Sequence, residues 1–203
     1  MDDSVVIALF RHGLTEANKR KAYLGWKDSP ICIGEIKVPD KSVYDGYFSS
    51  DLKRCIETAK IFFPNTNPKL LKELREINFG AWDGKTYDEL KEDSRYQKWL
   101  SDPFQYYPPD GESFQQFQKR IQAGWRQMVD EILLKDLQSC VVITHGGVIR
   151  HLLTKYAPEK KEFWEWQSPH HRGFELTTNR EALRRGERCT LLQEVPLMEK
   201  GNG

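Results

Sequence analysis

Val5-Val6-Ile7-Ala8-Leu9-Phe10-Arg11-His12-Gly13-Leu14-Thr15-Glu16-Ala17-Asn18 is the stretch that decides the fold. Six apolar residues in a row read as a strand buried on both faces, as in a parallel sheet. The run stops at a cation, an imidazole and a glycine. Open α/β sheets bind ligands beyond the carboxyl ends of their strands, so Arg11 and His12 fall where such a fold places its site. The pattern returns late in the chain, where Cys140-Val141-Val142-Ile143-Thr144 breaks into His145-Gly146-Gly147.

Working outward, Thr15 is a candidate N-cap for a short helix to Lys21, and residues 22 to 45 read as irregular. Tyr44–Ser49 reads as a second strand. Ser50 then caps a helix over Asp51–Phe63, stopped by Pro64. Lys69–Leu74 is a third candidate strand. Residues 77 to 111, rich in Trp, Tyr, Pro and Asp, are expected to form a small cap with a helix over Thr86–Leu100. Ser113 and Gln116 form a capping box, and Phe117, Ile121, Trp125, Met128 and Ile132 follow a helical period, best explained as a core-facing stripe. A helix over Gly147–Tyr156 follows the His145 strand. Gly173–Thr178 and Cys189–Val195 are expected to close the sheet as a pair across the polar stretch 179–188, and Glu199–Gly203 to fray. Alternating strands and helices predict an α/β fold: a three-layer sandwich with a mainly parallel central sheet flanked by helices. One domain over 1–203 with a cap at about 77–111 is the expected organisation.

Bulk properties narrow the function. Of 203 residues, 38% are hydrophobic and 30% charged, as in a globular protein rather than a disordered one. A formal net charge of +1 gives no broad footprint for nucleic acid or a membrane surface. The four cysteines are scattered and form no CxxC pair, so neither a zinc site nor a disulfide framework is expected. No segment reads as a membrane span or a signal peptide, and a reducing cytoplasm is the expected location.

Five residues at predicted strand ends carry the chemistry: Arg11, His12, Arg54, Glu76 and His145. Each alone has a bland alternative. Arg54 reads as a solvated helix cation, Glu76 as a surface partner of Arg75, and His145 as a satisfied buried imidazole. Their convergence on one sheet edge favours a site. Arginines oppose a metal and suit a phosphoryl group, which they grip in bidentate fashion. Neutral imidazole is available near pH 7 as a nucleophile toward phosphorus. Gly13 allows close approach of backbone to a ligand, and Thr15, Asn18 and the Gly146 amide can offer donors to an anion. There is no Walker-type loop and no dinucleotide glycine fingerprint.

Arg11-His12-Gly13-Leu14-Thr15-Glu16-Ala17-Asn18 resembles the motif of the histidine phosphatase superfamily, which includes cofactor-dependent phosphoglycerate mutases. The resemblance continues through Gly25–Pro30, Tyr47–Arg54, Leu74–Gly84, Gly111–Phe114 and Val142–Arg150, in the family's order. It implies a phosphoglycerate mutase-like fold and a metal-independent phosphatase, needing no cofactor, that acts on a small phosphomonoester. By the same resemblance His12 is the nucleophile that becomes a phosphohistidine. Arg11, Arg54 and His145 hold the phosphoryl oxygens, Glu76 is the proton donor, and Asn18, Thr15, Gly146 and Gly25 belong to the phosphate or substrate pocket. The expected partner is a small phosphorylated metabolite, not nucleic acid or membrane, for a monomer or small homo-oligomer.

Two departures stand out. The stretch Ile31–Pro39 is shorter than the family's helix before the second strand, and Pro39 breaks it. The cap between Gly84 and Asp110 is also short, which favours a phosphatase open to water over a mutase. Phosphoryl transfer of the mutase type and a non-catalytic phosphate-binding module are the alternatives. The aromatics Trp26, Trp82, Tyr87, Trp99, Tyr106 and Tyr107 read mainly as cap packing, with stacking on a ring-bearing phosphate as the other reading. His170-His171-Arg172 reads as a solvated loop cluster, with charge contacts at the pocket rim as the alternative.

Overall fold

The computed structural model describes residues 3–40 and 43–199. Seven strands form one sheet in the order β2-β7-β6-β1-β5-β3-β4. They are β1 (Ser4–Arg11), β2 (Lys37–Pro39), β3 (Gly46–Ser49), β4 (Lys69–Leu70), β5 (Ser139–Thr144), β6 (Arg172–Asn179) and β7 (Leu191–Glu199). The neighbours β1-β5, β5-β3 and β3-β4 pair in parallel, while β6 runs antiparallel to β1 and to β7, and β2 antiparallel to β7. Five of the seven strands therefore point the same way. The parallel half carries the sequence-predicted strands, and its central members are near-continuous apolar runs because both faces are covered.

Alternation along β1 shows the two faces. Val5, Ile7 and Leu9 enter one core with α5 (Phe114–Leu134) and α6 (Gly146–Tyr156). Ala8 and Phe10 enter the other, with Cys55, Ala59 and Phe62 of α2 (Lys53–Phe62). This is the expected three-layer arrangement. The longest helix, α5, starts at the capping box read from sequence: Ser113 Oγ accepts from the Gln116 amide at 3.2 Å, and Gln116 Oε1 accepts from the Ser113 amide at 2.8 Å. Its buried face runs through Phe117, Ile121, Trp125, Met128 and Ile132. Each such side chain contributes on the order of 1.5–3 kcal/mol by leaving water.

Elsewhere the structure differs in detail. The helix after β1 is α1 (Glu16–Lys19), one turn long, capped by Thr15. The irregular 22–45 stretch contains β2, an edge strand that tolerates Pro39 because its other side needs no ladder bond. The second and third strands shorten to β3 and β4. The cap helix is two helices, α3 (Tyr87–Leu90) and α4 (Ser94–Ser101), because Asp93 caps a fresh start through its bond to the Arg95 amide. The polar 179–188 stretch holds α7 (Arg180–Arg185), capped by Asn179 and ended by Gly186 in the left-handed conformation. Glu199 pairs with Lys37 in the β2-β7 ladder, and the rest of the expected frayed tail lies outside the described residues. Trp82, Leu90, Tyr96 and Trp99 form a separate cap cluster, joined by Tyr23 and Phe79.

Candidate active site

The parallel pairing assembles the site. Arg11 at the end of β1 is in register with Thr144 at the end of β5, so His12 and His145 emerge side by side at one sheet edge. Their ring centroids are 5.2 Å apart. Arg54 lies in the first turn of α2, which follows β3, the other parallel neighbour of β5. Glu76 follows β4 at the end of the same parallel set. Four strand ends thus deliver the residues singled out from sequence.

The cavity above them has a volume of about 250 Å³. Its polar lining is Arg11, His12, Asn18, Glu76, Gly147 and Arg150; Tyr23, Phe79, Trp99, Phe114, Phe163 and Trp164 are among its aromatic walls. His12 Nδ1 lies 2.8 Å from the Gly13 carbonyl oxygen. A carbonyl only accepts, so Nδ1 carries the proton and Nε2 keeps its lone pair. Burial, then the charges of Arg54, Arg11 and His170, push the His12 pKa well below the usual imidazole range. The ring is therefore neutral at pH 7.

Arg54 is completely buried and closely held. Nη1 donates to the Lys27 carbonyl at 2.8 Å and to Asp28 Oδ1 at 3.2 Å; Nη2 donates to the Gly25 carbonyl at 2.6 Å and to His145 Nδ1 at 3.2 Å. Because a guanidinium only donates, His145 Nδ1 accepts, and its Nε2 carries a proton toward Ser50 Oγ at 2.9 Å. Burial, with Arg54 next, holds the His145 pKa well below its ordinary range. Both ring nitrogens are committed, so His145 acts on a ligand by fixing Arg54. Arg11 Nη1 donates to the Ser168 carbonyl at 2.8 Å. Desolvation lowers the Arg11 pKa to about 10, with Glu76 opposing and Arg150 and Arg54 adding to the shift. The Nε–H groups of Arg11 and Arg54 are both buried without an acceptor, a costly state for a guanidinium donor.

Glu76 Oε1 accepts from its neighbour Ile77's amide at 2.9 Å, and Oε2 from the Gly147 amide at 3.0 Å. That approach requires glycine, since a Cβ at Gly147 would stand 2.3 Å from Oε1. Arg120 on α5 braces the strand-end loop: it donates to the Glu73, Arg75 and Glu76 carbonyls and pairs with Glu112 through two hydrogen bonds.

Arg54 and His145 lie behind the cavity lining, and Thr15, Gly25 and Gly146 do not line it either. Thr15 is wholly buried and caps α1 in a reciprocal box with Asn18, so its hydroxyl is spent locally. Gly25 gives its amide to Asp83 and its carbonyl to Arg54. Gly146 packs against the Arg11 guanidinium, 3.3 Å from a Cβ placed there. All three are framework for the site. Asn18 does line the cavity.

Sequence reasoning missed the groups that fix Arg54. Asp28 pairs with it and also accepts from the Lys53 and Arg54 amides, taking the capping position expected for Ser50. Asp83, nearly buried, accepts from the Gly25, Trp26 and Lys27 amides and shapes the loop that meets Arg54. Both acids lie within blocks that resemble the family, but far from Arg54 in the chain, and no local spacing marks their part in holding it. Arg150 lies within a matching motif, but its position inside a helix does not single it out. Among the described residues no three His, Cys, Asp or Glu side chains converge as a metal ion requires.

The family model for the histidine phosphatase superfamily, branch 1, matches residues 37–186. The chain belongs to the histidine phosphatase superfamily. Over 158 residues the chain is 29% identical to the adenosylcobalamin/alpha-ribazole phosphatase of Salmonella typhimurium, across 72% of this chain and 77% of that protein. It is also 29% identical over 170 residues to the 2,3-bisphosphoglycerate-dependent phosphoglycerate mutase of Cytophaga hutchinsonii, across 76% and 79%. The solved phosphoglycerate mutase from Thermus thermophilus superimposes with a TM-score of 0.62 at 29% identity, across 93% of this chain and 98% of that one. The alpha-ribazole phosphatase from Shigella flexneri superimposes at 0.79 with 21% identity, across 98% and 100%, which speaks to the fold alone. No described helix is long and apolar enough to cross a membrane.

Proposed function

We propose that the chain hydrolyses a small phosphomonoester through a phosphohistidine on His12. The observation that carries this reading is the state of His12. It is a neutral imidazole with Nδ1 tied to Gly13, its Nε2 lone pair is free, and it lines the cavity under the influence of the half-buried Arg11 and the buried Arg54. The His12 Nε2 lone pair attacks phosphorus as the bond to the leaving oxygen breaks. Arg11 and Arg54 hold the phosphoryl oxygens, and their buried Nε–H donors gain acceptors when those oxygens arrive. His145 keeps Arg54 in place. Glu76 gives a proton to the leaving oxygen, then takes one from the water that attacks the P–N bond. Asn18 contacts the bound group at the cavity edge. No metal enters these steps, since the guanidinium groups supply the positive charge.

Relatives named as phosphatases and as phosphoglycerate mutases match at similar identity, so transfer to a second substrate hydroxyl is the competing reading. Hydrolysis is favoured by the small cap, in which α3 and α4 together span only residues 87–101. The test is turnover of an aryl phosphate in excess EDTA, wild type beside His12→Ala. We expect wild-type turnover to persist and the variant to lose roughly 10⁴-fold or more. Equal turnover in both would remove His12 as the nucleophile. Phosphoryl transfer to an added phosphoglycerate faster than hydrolysis would establish the mutase reading.

A further inference from the structure

His170 is the one cluster residue from the C-terminal loop that reaches the nucleophile. Its Nδ1 lies 2.8 Å from the His12 carbonyl oxygen and therefore donates to it. Its ring sits edge-on to the His12 ring at a centroid distance of 5.4 Å. The His12 imidazole thus stands next to two others, at 5.2 Å from His145, the N-cap of α6, and at 5.4 Å from His170, in the loop before β6. The same loop takes Arg11, through the Ser168 carbonyl. Antiparallel pairing of β1 with β6 explains the placement: Leu9 is in register with Phe174, so the chain just before β6 runs past the end of β1.

We propose that His170 is a positioning residue for the nucleophile, and that it takes up a proton from solvent when a phosphoryl dianion occupies the site. This rests on the phosphohistidine reading above. The positioning half follows from geometry. The Nδ1–H bond fixes the His12 main chain from a loop 158 residues away in the chain, and a fixed main chain fixes where Nε2 points. The proton half follows from charge. The groups facing His170 are Arg11 at the end of β1, His12 just beyond it and His171 from its own loop; burial and Arg11 lower its pKa to about 4. With Nδ1 committed as a donor, protonation falls on Nε2. A dianion close to the His12 ring opposes the field of Arg11 and favours the imidazolium form of His170.

Tungstate, a dianion that keeps its charge near neutral pH, is the probe. Its binding is measured by calorimetry between pH 6 and 8 in two buffers of different ionisation enthalpy, which counts protons taken up. The wild type is compared with three variants. His170→Asn keeps an N–H near the Nδ1 position but cannot titrate. His170→Leu has neither property, and His170→Gln serves as a second uncharged variant should His170→Asn fail to fold. Each full proton taken up appears as a roughly tenfold loss of affinity per pH unit. We expect the wild type to take up protons on binding, His170→Asn to take up fewer and show a flatter pH dependence, and His170→Leu to lose kcat on an aryl phosphate in addition. Equal proton uptake and an unchanged kcat/KM profile in His170→Asn would overturn the proton half. An undiminished kcat in His170→Leu would overturn the positioning half. No tungstate binding by the wild type would instead bring down the phosphoryl-site reading, and this inference with it.

Discussion

His12 lines the floor of the cavity and Arg54 and His145 pack behind it; these polar groups have 3%, 0% and 0% of their surface exposed and are fixed by hydrogen bonds. On its wall, Tyr23, Phe79 and Trp99 are rings held against one another at centroid distances of 5.1–6.2 Å. The floor is over-determined. Arg54 has four acceptors and His145 is held by Arg54, Ser50 and Cys55, so neither side chain needs to reorganise when a charge arrives. The wall is held by packing, which tolerates substitution of similar volume. From this difference it follows that floor substitutions act on kcat and wall substitutions on KM, since only preorganised charge is felt more strongly in the transition state than in the ground state.

The sharpest attempt to break that division is Arg54→Ala. It removes the proposed phosphoryl ligand, leaves Asp28 without its charged partner and frees His145 Nδ1. We expect kcat to fall by roughly 10²–10³-fold, with a smaller change in KM, on any phosphomonoester. A pure KM effect in steady-state kinetics would show that the floor only binds.

Glu76→Gln separates the steps. The amide keeps an oxygen for the Gly147 or Ile77 amide but cannot give up a carboxyl proton. An alkyl phosphate, with a poor leaving group, should lose roughly 10²-fold in kcat, whereas p-nitrophenyl phosphate should lose little at the first step. Equal losses on both would mean that Glu76 only shapes the backbone.

The floor and the wall also differ in how far the sequence reveals them. Parallel strands at the centre of a sheet are unbroken apolar runs, so the ends of β1 and β5 announce themselves at Arg11-His12 and at His145. The capping box at Ser113 marks α5 for the same local reason. What holds the floor is not local. Asp28 and Asp83 look like ordinary loop acids until the chain folds them onto Arg54 and its loop, and Ser50 looks like a helix cap although its hydroxyl meets His145. Thr15 and Gly25 show the converse, because a polar or glycine residue beside a site motif is as readily part of its frame as of its surface. Among the aromatics that read as cap packing, Trp99 does both tasks: it lies in the cap cluster and also faces the cavity.

A third prediction concerns the cost of burying imidazoles. His12 and His145 are held well below the ordinary range, and His151 and His170 are lowered to about 4, in each case chiefly by burial. Above the unfolded-state value near 6.5 neither state binds these protons and stability is flat. As pH falls below it, the unfolded chain takes up protons that the folded chain refuses, so stability falls by up to about 1.4 kcal/mol per pH unit for each histidine. His151 provides the control because it lies on α6, outside the cavity lining, with Gln122 as its hydrogen-bond partner. Urea titrations at pH 7.5 and 5.5 should show a smaller drop for His151→Gln than for the wild type, with kcat unchanged at pH 7.5. An identical drop would mean that His151 is protonated in the folded state.

The mildest test acts on the wall. Trp164 lines the cavity with half its surface exposed, and the Arg150 guanidinium lies 5.6 Å from its ring centroid. Arg150 is also held by the Trp166 carbonyl through Nε, so losing the ring does not release it. Trp164→Ala therefore removes apolar surface from the cavity wall and an exposed cation–π pairing worth roughly 0.5–1 kcal/mol, while leaving His12, Arg54 and Glu76 untouched. A change of that size is a few-fold in KM for a ring-bearing phosphate, with little change for a small alkyl phosphate and none in kcat. If kcat falls instead, the wall positions the reacting groups and the separation between floor and wall fails at its outer edge. If KM rises equally for both substrates, the ring contributes through Arg150 and charge, and not through contact with the leaving group.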